Sequence, residues 1–153
     1  MVVCISATLY RYPRFSLFCY IWDTETSKNM TSGVGIDMIE VERIAKSINK
    51  ESGFREMVFS KTEIAYCESK TNKFEHYAAR FAAKEAFFKA LGTGWAENTL
   101  FNEVEITNNK EGKPGIILSG ITLKTINEMG IKKILVSLSH LKTIASAVVI
   151  VEK

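Results

Sequence analysis

The sequence predicts an α+β fold, in which helices pack on an antiparallel or mixed sheet. Three observations support this prediction. Apolar residues recur with helical spacing in the first half of the chain, strand-like apolar runs dominate the second half, and the elements follow the order β-α-α-α-β-β-α-β-β. With 153 residues, the chain is long enough for one domain that buries most of its apolar surface.

The composition argues against several classes of protein. A net charge of +3, without an arginine-rich helix or an aromatic ladder, argues against nucleic-acid binding. No apolar run is long enough to span a membrane. The three cysteines are widely spaced and form no Cys-x-x-Cys pair or Cys/His cluster that would indicate zinc. A reduced, cytoplasmic protein is therefore expected.

Residues 1–30 differ from the rest of the chain. They are rich in aromatic residues, and their apolar run from Phe15 to Trp22 is short. Acidic residues follow that run without a small-residue cleavage site, which argues against a signal peptide. We interpret residues 1–30 as an accessory extension, or as translation from a start upstream of the functional one, and expect the functional domain to cover residues 31–153.

The first half of the chain predicts one strand followed by helices. Val34 and Ile36 form one face of a strand from Gly33 to Asp37, whose glycines allow close backbone approach on the other face. Ser60 and Glu63 have the spacing of a capping box. Helices are predicted to begin at Val41, Phe54, Ser60 and Phe74, the last ending at Gly92-Thr93-Gly94.

The second half predicts a hairpin, a helix and two strands. Strands at Val104–Ile106 and Ile116–Leu118 flank a polar turn, which is the pattern of a hairpin. A helix from Ser119 to Met129 follows, and strands are expected at residues 134–140 and 144–151. The helix is predicted to bury Ile121, Leu123 and Ile126.

The central helix carries a carboxylate at an apolar position. At about 100° per residue, Glu85 falls inside the helix's apolar stripe, and Lys89 follows one turn later. A carboxylate on the core side of a helix is costly unless it is paired. Glu85 therefore either forms an i,i+4 ion pair with Lys89 or binds a metal ion together with a second carboxylate.

Asp37 is the candidate for that second carboxylate. It ends the predicted strand, but it is also placed to cap the following helix, with Glu40 completing a capping box. Two carboxylates with few other ligands suit Mg²⁺, which keeps several waters and takes further oxygens from substrate phosphates. Local patterns leave both interpretations of Asp37 open.

Four segments carry a resemblance to a known family. They are GVGIDMIEVERI at 33–44, RFAAKEAFFKALGTG at 80–94, EGKPGIIL at 111–118 and VSLSH at 136–140. In this order and spacing they closely resemble the bacterial holo-acyl-carrier-protein synthases of the 4′-phosphopantetheinyl transferase superfamily. The resemblance implies that superfamily's fold and an enzyme of fatty acid biosynthesis. Such an enzyme moves phosphopantetheine from coenzyme A to a serine of apo acyl carrier protein and releases adenosine 3′,5′-bisphosphate.

The resemblance also implies roles for individual residues. Asp37 and Glu85 match the family's Mg²⁺ ligands, Glu85 is the candidate general base, and Lys89 matches a lysine that stabilises or protonates the leaving phosphate. Positions near the coenzyme are matched by Arg80, Lys84, Gly92, Thr93, the turn Gly112-Lys113-Pro114, Ser139 and His140. A basic face for the acidic carrier protein is expected from Arg43, Lys46, Lys50 and Arg55. His76 lies off the apolar stripe and is interpreted as solvated.

Finally, the resemblance implies a homotrimer with sites at subunit interfaces. The chain departs from the family in its first 30 residues and at Leu141, where the family usually has a polar residue. Two other functions fit the same carboxylates. One is a Mg²⁺-dependent phosphoesterase acting on coenzyme A or nucleotides, and the other is a non-enzymatic module that binds carrier protein.

Overall fold

The structure is a computed structural model that describes residues 30–50, 52–92 and 99–153. The interpreted extension, apart from Met30, lies outside the described residues, and so do Thr93 and Gly94. The elements within the described ranges are β1 Thr31–Glu40, α1 Val41–Asn49, α2 Phe54–Val58, α3 Lys61–Glu68, α4 Lys73–Leu91, a 3-10 helix Phe101–Glu103, β2 Val104–Asn108, β3 Pro114–Leu118, α5 Gly120–Glu128, β4 Lys133–His140 and β5 Ile144–Glu152. None of these helices is long and apolar enough to cross a membrane.

The strands form two antiparallel sheets, and α4 packs against the larger one. The larger sheet has the order β1-β5-β4, while β2 and β3 form the predicted hairpin. Asp37 pairs with Ala147, which in turn pairs with Leu138, so this row of residues runs from β1 across β5 to β4. Helix α4 covers the face of this sheet that carries the buried residues of β5. The predicted α+β class is confirmed.

Small residues allow α4 to approach β1 closely. The alanines of α4 are buried, namely residues 78, 79, 82, 83, 86 and 90. Opposite them, Gly33 and Gly35 lie so near the carbonyl oxygens of Ala90 and Ala86 that a Cβ atom at either glycine would overlap them. The predicted close approach is confirmed. Because side chains alternate along a strand, Asp37 points from this same face of β1 towards α4.

Local signals at helix ends are confirmed. Ser60 and Glu63 form both hydrogen bonds of a capping box at the start of α3. Gly92 ends α4 in the left-handed conformation, with φ of 71°, where a residue without a Cβ is favoured. Local sequence therefore determines where α3 begins and where α4 ends.

Two expectations are wrong. Strand β1 continues to Glu40, so Asp37 lies within the strand; Glu40 is the N-cap residue of α1 and makes no side-chain capping bond. The capping interpretation of Asp37 is thereby excluded. In α5, Ile126 is buried as predicted, but Ile121 and Leu123 are exposed and Thr122 is buried instead. Thr122 Oγ1 accepts a hydrogen bond from the Leu100 amide, which compensates its burial.

Candidate active site

The two candidate carboxylates meet between β1 and α4, together with Lys89. Lys89 Nζ lies 2.7 Å from Asp37 Oδ1, so the ion pair connects the helix to the strand. The predicted alternative, in which Lys89 pairs with Glu85 along the helix, is wrong. Asp37 is largely covered while Lys89 is about half exposed. The cluster therefore opens to solvent on the Lys89 side.

The charges in this cluster act on one another. Burial raises the pKa of Glu85, and the negative charge of Asp37 raises it further, while Lys89 and Arg43 oppose the shift. The hydrogen bond to Asp37 raises the pKa of Lys89, which keeps it charged. Because the Asp37 charge disfavours ionisation of Glu85, a cation placed between the two carboxylates would be bound favourably.

A divalent metal at this site would depend on further ligands from its substrate. Within the described ranges, no group of three or more His, Cys, Asp and Glu side chains is placed to hold a metal ion. Asp37 and Glu85 supply two carboxylates, which is the donor set with which Mg²⁺ binds through one or two protein carboxylates, waters and phosphate oxygens. The residues present therefore fit Mg²⁺ that arrives with a phosphate ligand.

A second cluster surrounds a cavity of about 190 Å³ beside the first half of α4. Its lining includes Tyr66, His76, Arg80, Asn108, Pro114 and His140. Arg80 is buried, its Nη2 donates to Asn108 Oδ1 at 3.1 Å, and its guanidinium lies 4.0 Å from the centre of the Tyr66 ring. Its buried Nε has no hydrogen-bond partner within the described residues. An unsatisfied cationic donor beside a cavity indicates a site for an anion.

His140 and His76 form one wall of this cavity. His140 Nδ1 lies 3.2 Å from Glu75 Oε2, and the two imidazole rings meet at an angle of 69°. The interpretation of His76 as a solvated residue is wrong, because it is half-buried between Tyr66 and His140. The sequence around His76 does not predict these contacts, because Tyr66 comes from α3 and His140 from β4.

Lys84 does not lie near the cavity, contrary to the implication of the resemblance. It is fully buried, and its Nζ donates to Val58 O at 2.8 Å, Glu63 Oε2 at 2.7 Å and Phe101 O at 2.8 Å. All three protons of the ammonium group are thus used inside the core. Burial lowers the pKa of Lys84, while Glu63 opposes that shift. Lys84 is therefore a structural residue in this fold.

The remaining residues matched to the coenzyme are dispersed. Lys113 is exposed in the hairpin turn next to Pro114 of the cavity, and Gly92 is exposed at the end of α4. Ser139 is exposed and, by strand alternation, faces the side of the sheet opposite to His140. Thr93 lies outside the described residues.

The expected docking residues lie on α1 and α2. Arg43, Lys46 and Lys50 are exposed on or just after α1, and Lys46 pairs with Glu42 at 2.8 Å. Arg55 on α2 pairs with Glu56 at 2.7 Å. Arg43 is close enough to Glu85 for its charge to oppose the rise in the Glu85 pKa, so this basic surface borders the carboxylate cluster.

The two clusters lie on different sides of α4. Glu85 is five residues from Arg80 and nine from His76, which corresponds to rotations of about 140° and about 180° around a helix. Accordingly, Glu85 faces Asp37 on β1, whereas Arg80 and His76 face Tyr66, Asn108 and His140. The carboxylate cluster and the Arg80 cavity therefore lie against different elements of the fold.

Comparisons with known proteins give a consistent result. The sequence profile of the 4′-phosphopantetheinyl transferase superfamily matches residues 33–145. The holo-[acyl-carrier-protein] synthase of Cytophaga hutchinsonii is 47% identical over 81% of the chain and 99% of that protein. That of Solibacter usitatus is 43% identical over 80% of the chain and 99% of that protein.

Solved structures agree with these relatives. The holo-[acyl-carrier-protein] synthase of Neisseria meningitidis has a TM-score of 0.74 and 32% identity, covering 81% of this chain and 100% of that one. The enzyme of Bacillus anthracis, solved in complex with CoA (3′,5′-ADP), has a TM-score of 0.67 and 35% identity, covering 81% of this chain and 98% of that one.

Proposed function

Because this chain belongs to the 4′-phosphopantetheinyl transferase superfamily, we propose that its two clusters divide the work of a holo-acyl-carrier-protein synthase. The enzyme transfers 4′-phosphopantetheine from coenzyme A to a serine hydroxyl of apo acyl carrier protein. We propose that this reaction supplies holo carrier protein for fatty acid biosynthesis and that it takes place in the cytoplasm.

The meeting of Asp37, Glu85 and Lys89 is the observation that carries this proposal. Asp37 and Glu85 would hold Mg²⁺, which supplies neutralising charge to the pyrophosphate of coenzyme A. We propose that Glu85 also accepts the proton of the attacking serine as general base. The serine Oγ–phosphorus bond forms while the phosphoanhydride bond breaks. Lys89 stabilises the departing phosphate of adenosine 3′,5′-bisphosphate.

The cavity at Arg80 is proposed to hold the other phosphate of the coenzyme. Coenzyme A carries a pyrophosphate and a 3′-phosphate, and the pyrophosphate is assigned to the carboxylate cluster. The unpaired Arg80 Nε, with Asn108 and His140 beside it, suits the 3′-phosphate. Lys113, in the turn that leads to Pro114, would add positive charge at the entrance.

The division of the clusters between two sides of α4 supports a site shared by two subunits. The outer face of the three-stranded sheet is apolar and exposed; Val34, Ile36 and Met38 of β1 are 62%, 61% and 65% exposed. Val148 and Leu135 continue this face on β5 and β4. A contiguous apolar surface of this kind is typical of a subunit interface. We propose a homotrimer in which Asp37 and Glu85 of one subunit act with the Arg80 cavity of its neighbour.

Mixing two inactive variants tests this shared site. Glu85→Ala and Arg80→Met subunits, unfolded together and refolded, should regain activity that neither variant has alone. Random mixing restores both intact halves at about a quarter of shared interfaces, so about a quarter of wild-type activity is expected. Each variant refolded alone is the control. Absence of recovery in mixed trimers of confirmed composition would place both clusters of the site in one chain.

Reversing the charge of Arg43 should weaken the binding of carrier protein and leave the binding of coenzyme A nearly unchanged. Arg43→Glu removes an attraction to the acidic carrier and adds a repulsion, so its KM for carrier protein should rise by about tenfold or more. The KM for coenzyme A should stay nearly constant. Lys124→Glu, on exposed α5, is the matched control with the same change in net charge. An equal rise in both KM values would assign Arg43 to the coenzyme site.

Intact-mass measurement of apo acyl carrier protein tests the proposal as a whole. Incubation with the enzyme, Mg²⁺ and coenzyme A should add one phosphopantetheine to the carrier, and a chelator should prevent the addition. Consumption of coenzyme A without carrier protein would indicate a phosphoesterase. An unchanged carrier and unchanged coenzyme would indicate a binding module.

A further inference from the structure

Four side chains beside the Arg80 cavity form a continuous series of contacts. The Arg80 guanidinium lies over the Tyr66 ring, and the His76 ring meets the Tyr66 ring edge-on, with 5.7 Å between centroids and an angle of 86°. The His140 ring follows at 5.3 Å from the His76 ring. His76 thus contacts both Tyr66, whose ring lies against Arg80, and His140 at the end of β4.

We propose that His76 is a positioning residue for coenzyme binding, which acts by holding the His140 ring in place at the wall of the cavity. This inference rests on the proposed function, in which the cavity binds the 3′-phosphate of coenzyme A. His76 itself is not required to touch the substrate. Its contribution is to reduce the conformational freedom that His140 would otherwise lose when the coenzyme binds.

Within the described residues, His140 also has a polar contact with Glu75. It is the last residue of β4, its side chain is about one-third exposed, and Glu75 meets its Nδ1 at 3.2 Å. Because Nδ1 faces Glu75, Nε2 is the nitrogen left for a ligand. Packing against the His76 ring restricts rotation of the imidazole about its side-chain bonds, in addition to the restraint from the contact with Glu75.

The charge state of His76 suits this role. The titratable and charged groups around it are Glu75 on its own helix, Arg80 one turn later, Lys70 from the segment before α4, and His140 from β4. Burial lowers the pKa of His76, the positive groups lower it further, and Glu75 opposes them. An uncharged ring can pack between Tyr66 and His140 without repelling the cations that face the same cavity.

Three substitutions test the proposal through the KM for coenzyme A and kcat, measured separately. His76→Ala removes the ring and should raise the KM by up to about tenfold, since one side chain must then be ordered on binding. The kcat at saturating coenzyme should stay within about twofold, because the carboxylate cluster lies on the other side of the helix. His76→Phe keeps a ring and should retain a nearly normal KM. His76→Leu fills the volume without a flat ring and should resemble alanine.

The same measurements with 3′-dephospho-coenzyme A separate the inference from the function on which it rests. The wild-type enzyme should have a higher KM for this donor, and His76→Ala should raise it little further. A wild-type KM that is equal for both donors would overturn the assignment of the cavity, even while transfer itself continues.

Other results would overturn the role of His76. A normal KM in both His76→Ala and His76→Leu would show that the ring does not position His140. A KM raised as much by phenylalanine as by alanine would show that the imidazole contacts the coenzyme directly. Thermal unfolding of each variant confirms that the comparison is made between folded proteins.

Discussion

Replacing Asp37 or Glu85 by alanine is expected to lower the transfer rate by about a thousandfold or more. A metal ion that neutralises the charge of a reacting phosphate typically contributes several kcal/mol to the stability of the transition state, and either substitution would remove a proposed ligand of that ion. Loss of either carboxylate halves the proposed ligand set for Mg²⁺, and loss of Glu85 also removes the proposed base. Stability should change little. Asp37 makes one ion pair with a half-exposed lysine, and such pairs contribute only about 0–1 kcal/mol.

The measurement is the rate of carrier-protein modification at saturating coenzyme and Mg²⁺, with circular dichroism as a check on folding. Glu128→Ala, an exposed carboxylate on α5, is the control and should be fully active. Folded variants of Asp37 or Glu85 that retain near-normal rates would remove the cluster from the reaction. Variants that fail to fold would instead make these carboxylates structural.

The largest effect on stability is expected at the buried pair of Lys84 and Glu63. Lys84→Met leaves the Glu63 carboxylate buried without its cation. Glu63→Leu leaves the Lys84 ammonium buried without its anion, and it also removes the carboxylate that accepts hydrogen bonds from the backbone amides of Ser60 and Ile106. Removing one partner of a buried pair costs about 3–5 kcal/mol, so either change should lower the free energy of unfolding by that amount.

The surface pair of Lys46 and Glu42 provides a matched control. Its 2.8 Å separation is nearly that of the buried pair at 2.7 Å, but both of its side chains are largely exposed. Lys46→Met and Glu42→Leu should therefore leave the free energy of unfolding nearly unchanged in urea titrations. Similar losses at both pairs would show that burial does not determine the strength of these contacts.

The sequence predicted those features of the fold that local chemistry determines. Ser60 and Glu63 specify a helix start through their own hydrogen bonds, and Gly92 specifies a helix end through its conformation. Asp37 and Glu85 could be found because each is a carboxylate in an apolar pattern. The resemblance then gave a reason to pair them, although they lie 48 positions apart in the chain.

What the sequence could not predict depends on tertiary contacts. Helix α4 is buried on most of its surface, so hydrophobic periodicity does not indicate which way Lys84 points; its acceptors come from three distant segments. In α5, the buried side follows Thr122 and Ile126 because a polar residue there finds a hydrogen-bond partner, which a hydrophobicity pattern does not anticipate. His76 is recognisable only once α3 and β4 are placed beside it.

The glycines of β1 set the size of the proposed metal site, although neither takes part in its chemistry. Asp37 is on β1 and Glu85 is on α4, so the distance between strand and helix limits how close the two carboxylates can be. The glycines of β1 let the strand backbone approach the helix backbone directly, with no side chain between them. Any side chain at residue 35 would push the layers apart and widen the gap that one small cation must bridge. We therefore expect the size of cation that the proposed site can hold to depend partly on the absence of a Cβ atom at Gly35, two residues before Asp37 on the same strand.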